Sequence, residues 1–74
     1  MSDRDRGIID FAIFLIHRVA EKWGMTAPEV YKMLDSVDIV DGYIVKHYDV
    51  LHTLGEEYLV DDITSLARKR GVLS

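Results

Sequence analysis

Apolar residues recur at three- and four-residue steps through most of the chain, the spacing of one face of an α-helix. Over residues 3–23 the stripe is Ile8, Ile9, Phe11, Ala12, Leu15, Ile16, Val19, Ala20 and Trp23. Ile13 and Phe14 widen it beyond one face, which suits a helix at the centre of a bundle or at an interface between copies. Gly24 stands where a left-handed cap would end it. Thr26-Ala27-Pro28-Glu29 opens a second helix over about 27–35. The threonine accepts from a free amide, Glu29 reaches back, and proline in the first turn lacks only a donor that has no helical partner there. A third helix is expected over 38–53, with Asp38 as its N-cap and Ile39, Val40, Tyr43, Ile44, His47, Tyr48 and Leu51 along one side. Gly42 and the valine and isoleucine content make a strand around 42–45 the competing reading. The repeats Tyr43/His47/Leu51 and Ile44/Tyr48 favour helix, because they recur every four residues and do not alternate. Gly55 is read as the left-handed cap of this helix, and Thr53 with Glu56 as a capping box opening a fourth over 56–70. There Tyr58, Leu59, Ile63, Leu66 and Ala67 face inward, while acids at the start and Arg68-Lys69-Arg70 at the end suit the helix dipole. The expectation is all-α: a compact bundle of four helices in a single domain, 1–74.

Size sharpens this picture. A chain of 74 residues without cysteine has no disulfide or thiolate metal site to support a small core. Its 49% hydrophobic content is high beside 30% charged residues, so homo-oligomerisation is expected to cover part of the apolar surface. No stretch reaches the roughly 20 apolar residues that span a bilayer. The mixed charges Asp3-Arg4-Asp5-Arg6 are unlike a secretory signal, so a cytoplasmic location and no membrane are expected. Net charge is −4, and its placement says more than its sum. Residues 1–34 hold five basic and five acidic side chains, whereas Asp35 to Asp62 holds eight acids and only Lys46. Such a region repels a phosphate backbone and favours a basic protein partner.

Candidate chemistry is sparse. His47, Asp49, His52 and Glu56 invite a metal-site reading, but the spacing matches no ligand signature, so no metal is expected. Glu56-Glu57 and Asp61-Asp62 resemble paired carboxylates, yet a chain of this size has little room for a cleft that would tune them; they read as the solvated acidic start of a helix. There is no nucleophile–histidine–acid arrangement and no phosphate-cradling glycine loop, so no catalytic residue and no cofactor are expected. Tyr43, Tyr48 and Tyr58 read as a core network with Asp49, His52 or Asp62, fixing the third and fourth helices, or as a partner surface. Residues 24–31 followed by a helix from Asp38 loosely fit a helix-turn-helix, but a recognition helix beginning Asp38-Ile39-Val40-Asp41 turns two acids toward DNA, so no nucleic acid is expected.

The segment Tyr48-Asp49-Val50-Leu51-His52-Thr53, with Gly55-Glu56-Glu57-Tyr58-Leu59-Val60 and Asp62-Ile63, resembles the signature of short bacterial proteins grouped as domain-of-unknown-function family 3791. Phe11, Ile16, Glu29-Val30-Tyr31 and Val40-Asp41-Gly42-Tyr43-Ile44 extend the resemblance upstream; Gly42 departs from it by adding backbone freedom where a better helix former would be at home. The resemblance implies a small helical cytoplasmic protein with no catalytic residues to carry over. It also implies, through gene clusters encoding an ADP-ribosyltransferase-like toxin, an antitoxin or accessory role. The function expected is a non-enzymatic protein-interaction module, with a helix-turn-helix DNA-binding regulator as the alternative. The residues singled out as an interaction or structural motif are Tyr48, Asp49, His52, Thr53, Gly55, Glu56, Tyr58 and Asp62.

Overall fold

The structure, a computed structural model, describes residues 2–73. Its elements are α1 (Asp3–Trp23), α2 (Ala27–Ser36), a π-helical segment (Val40–Val45), α3 (Tyr48–Leu51) and α4 (Glu56–Lys69). No strand forms among the described residues.

Local chemistry sets most of the boundaries. The Ser2 hydroxyl accepts from the Asp5 amide at the start of α1. At its end Gly24 takes φ 68°, and the Met25 amide donates to the Ala20 carbonyl at 3.0 Å, closing a left-handed C-cap that relieves the last orphan carbonyls. The expected capping box opens α2: Glu29 N–H donates to Thr26 Oγ1, and Thr26 N–H to Glu29 Oε1. That bonding holds the Glu29 carboxyl below its ordinary range. Gly71, at φ 79°, ends α4 as Gly24 ends α1, with the Val72 amide donating to the Ala67 carbonyl at 3.2 Å.

The third helix differs from expectation. Asp38 is no N-cap; at φ 60° it is the left-handed cap of α2. The Asp38 amide donates to the Asp35 carbonyl and the Ile39 amide to that of Leu34, leaving Leu34 and Ile39 both fully buried. The chain then winds as a π-helix, with Ile44 N–H to Ile39 O at 2.9 Å and Lys46 N–H to Asp41 O at 3.3 Å. It breaks at Lys46-His47 before the four-residue α3. Ile39, Val40, Ile44 and Val45 are β-branched and Gly42 sits among them, so the regular α-helix has little intrinsic advantage here and burial decides the winding. Gly55 is no left-handed cap either. At φ −68° and ψ 147° it is extended and precedes α4, because α3 already closes through tight turns from Val50 to Thr53 and Leu51 to Leu54. The Thr53–Glu56 capping box does not form: the Thr53 hydroxyl donates back to the Val50 carbonyl, and α4 starts without a side-chain cap.

α1 is the central helix, packing on α2, α4 and the π-helical segment. The fully buried side chains include Leu15 and Val19 of α1, Val30 and Leu34 of α2, Ile39, Ile44 and, from α4, Ile63. At the half-buried seam Trp23 Nε1 donates to Thr64 Oγ1 at 3.0 Å, tying α1 to α4. The molecular surface, 4786 Å², is close to the roughly 4,650 Å² expected of a compact monomer of this mass. The fold therefore closes its core within one chain. Part of the widened α1 stripe nonetheless stays outside: Ile9, Ile13 and Phe14 are 43%, 51% and 43% exposed.

Candidate functional site

The motif Tyr48-Asp49-Val50-Leu51-His52-Thr53 folds as α3 and its closing turn, and it clamps onto the first half of α1. Leu51 is its buried anchor. The Tyr48 ring meets Phe11 edge-on at 5.5 Å and stacks with His52 at 4.6 Å. Its hydroxyl lies over Gly7, where a Cβ would stand 3.0 Å away, so the missing side chain makes room for the ring. Arg4 closes the clamp: its two terminal nitrogens donate to both Asp49 oxygens at 2.7 and 2.9 Å, while the guanidinium sits 6.0 Å from the Tyr48 ring centre. Those hydrogen bonds, helped by the charge on Arg4, hold the Asp49 carboxyl below its ordinary range, and Asp49 in turn raises Arg4. The pair is fully solvated, so it orients the clamp more than it stabilises it.

The other singled-out residues go elsewhere. Glu56, at the start of α4, forms an ion pair with Arg18, whose Nε lies 2.7 Å from its Oε1, and Arg18 also donates to Glu21 at 3.0 Å. Asp62, six residues further along α4, accepts from the Tyr43 hydroxyl, joining α4 to the π-helical segment. Burial first and the Asp62 contact second push Tyr43 up to about 12. Gly55 precedes α4 as described, and Tyr58 is 61% exposed. The expected tyrosine–histidine–acid network is thus divided. Tyr43–Asp62 makes the joint to α4, Tyr48 with His52 belongs to α1, Asp49 faces an arginine, and Tyr58 stands outside. Among the described residues no group of three or more histidine, aspartate or glutamate side chains gathers as metal ligands would. The segment from Asp38 presents a π-helical turn where a recognition helix would lie.

Arg4, Gly7 and Arg18 complete this arrangement, and none of them is among the site residues singled out from the sequence. Gly7 carried a usable signal: a glycine inside an amphipathic helix lowers its stability and marks close approach by a neighbour. Arg4 and Arg18 carried none, since their partners lie 45 and 38 residues away. Two surface features flank the clamp. The corner between α3 and α4 leaves Val50, Leu54 and Tyr58 at 62%, 38% and 61% exposure. Beside α4, an open groove of about 520 Å³ is lined by Arg18, Lys22, Glu56, Glu57, Val60 and Asp61 among others. Among the described residues no helix is long and apolar enough to cross a membrane.

Residues 10–70 match the protein family described as "Protein of unknown function (DUF3791)". The match takes in most of α1 and the whole of α2, α3 and α4, though not Arg4 and Gly7, and the chain belongs to this family. No curated protein and no solved structure matches the chain.

Proposed function

We propose that this chain is a cytoplasmic, non-enzymatic protein-interaction module that engages its partner through the α3–α4 corner. The observation that carries the reading is the exposure of Val50, Leu54 and Tyr58 around one short turn. The core has no use for these side chains, and an apolar and aromatic patch of this kind is typical of the centre of a protein–protein contact. Glu57 and Asp61, both exposed, give the patch an acidic border and favour a basic partner. The charged groups of the motif support a non-catalytic reading, because Asp49 and Glu56 are each engaged by an arginine and Tyr43 serves as a joint between elements. An antitoxin or accessory protein bound to a toxin-like partner is the specific form the reading takes.

The test uses tagged wild type and the double variant Val50→Ser/Tyr58→Ser, recovered from host extract. Both positions are exposed, so the variant should keep its melting temperature to within the small changes usual at the surface. The wild type should bring down one protein in near-equal amount and the variant none. Recovery of nothing by the wild type, or of the same protein by both, would refute the reading. Salt-dependent retention of the wild type on random duplex DNA would instead favour a DNA-binding regulator.

A further inference from the structure

The outer face of α1 carries a pattern that the fold does not use. At about 100° per residue, Arg6, Asp10, Ile13, Phe14, His17 and Glu21 share an arc of roughly 100°, away from Ala12, Leu15, Ile16 and Val19 in the core. All six are exposed. Among the described residues no ion pair engages Arg6, Asp10 or His17, and the Glu21 side chain, held by Arg18 through one carboxylate oxygen, stays 69% exposed.

The order of charges on this face is antisymmetric about the midpoint between Ile13 and Phe14. Arg6 and Glu21 are equally far from that midpoint, as are Asp10 and His17. Two copies of α1 laid antiparallel about it set Arg6 against Glu21 of the second copy and Asp10 against His17 of the second copy, each pair occurring twice. Ile13 then meets Ile13 on one edge of the seam and Phe14 meets Phe14 on the other. A parallel arrangement would oppose arginine to arginine and aspartate to aspartate, so the charges select the antiparallel one. Two helices alone bury less than the roughly 800 Å² per partner of a stable interface. Here Ile13 and His17 also border an open groove of about 610 Å³ between α1 and α2, lined on the α2 side by Ala27, Pro28, Tyr31 and Lys32, which widens the contact along the same edge. We infer that this face is a self-complementary docking surface and that its occupant is a second copy of the chain, paired antiparallel. The inference uses a face other than the α3–α4 corner and does not rest on that corner's partner.

Sedimentation equilibrium of the full chain tests it. The wild type should show a reversible monomer–dimer equilibrium. Arg6→Glu alone and Glu21→Arg alone should each weaken the dimer by about tenfold, because two attractive pairs become two repulsive ones. The combination Arg6→Glu/Glu21→Arg restores both pairs in reverse and should return the dissociation constant to within about threefold of wild type. Ile13→Lys, at an exposed position, should give a folded monomer with an unchanged circular-dichroism spectrum, whereas Val50→Ser/Tyr58→Ser should dimerise as wild type does. A wild type that is monomeric at every concentration, a dimer indifferent to Arg6→Glu, or a folded double-reversal variant no tighter than its parents would overturn the inference.

Discussion

Asp38 and Gly42 show how one side chain can decide two backbone choices. Aspartate is a good N-cap, and it is also one of the few residues that tolerate the left-handed region, so its presence after α2 fitted either role. The structure gives it the second, at φ 60°. Gly24, which has no such double character, was readable as a cap at once. Gly42 reads in the sequence as a weak point in a helix, yet a Cβ at that position would collide with the Asp38 carboxylate. The glycine is therefore there for the close approach. Gly42→Ala forces the exposed Asp38 side chain into another rotamer at a cost of about 0.5–1.5 kcal/mol, set against the roughly 0.5–1 kcal/mol that alanine gains over glycine within a helix. Asp38→Gly should raise it by about 0.5–1 kcal/mol, since glycine adopts the left-handed conformation without the Cβ conflict. In the Asp38→Gly background the rotamer cost of Gly42→Ala should vanish and leave the gain. Urea unfolding midpoints of the four chains measure this coupling directly, and additive effects would show that the two residues do not interact.

At the scale of elements, α1, α2 and α4 were legible because their apolar stripes recur at helical spacing, a capping box opens α2, and a left-handed glycine follows α1 and α4. The segment 38–53 was not, because β-branched residues, a glycine and a mid-segment break leave no dominant local preference, and packing against α1 settles the winding. The candidate site was legible in its members and not in its partners. Tyr48, Asp49 and His52 do act together, but on α1, through Arg4, Gly7 and Phe11, a contact that spacing within the motif does not encode. The Tyr43–Asp62 joint was among the pairings the sequence suggested, and it makes a prediction about pH. Tyr43 is raised from an ordinary value of 10.0 to about 12 in the fold. Below pH 10 it is protonated whether the chain is folded or not, so its contribution is fully present. Between pH 10 and 12 the unfolded chain releases this proton and the folded chain keeps it, so stability falls as pH rises through that window. The stability difference between wild type and Tyr43→Phe should therefore narrow steadily from about pH 10 to about pH 12. A difference that stays flat across this range in denaturant titrations would mean that Tyr43 ionises as freely in the fold as out of it.

For the whole molecule, the acidic bias of residues 35–62 is milder in three dimensions than along the chain. Asp49 and Glu56 are each paired with an arginine of α1, and Asp62 accepts from Tyr43, leaving Asp35, Asp38, Asp41, Glu57 and Asp61 as the open acids. The apolar surplus is likewise partly absorbed, since Leu15, Val19, Val30, Leu34, Ile39, Ile44 and Ile63 are fully buried within the one chain. Association through α1 is then an equilibrium between folded chains, added to a core that needs no second copy to close. This has a thermodynamic consequence. A dimer that unfolds to separate chains melts at a temperature that depends on concentration, because mass action favours the associated state. Once the dimer predominates, each tenfold rise in wild-type concentration should raise the melting temperature by about 3–6 °C for a domain of this size. Ile13→Lys removes the contact and keeps the fold, so its melting temperature should match that of dilute wild type and stay constant with concentration. Calorimetric scans of both chains over a hundredfold range, on the order of micromolar to tenths of millimolar, span the regime in which weak helix-face dimers form. A wild type whose melting temperature is as constant as the variant's would show that the outer face of α1 leaves the molecule alone in solution.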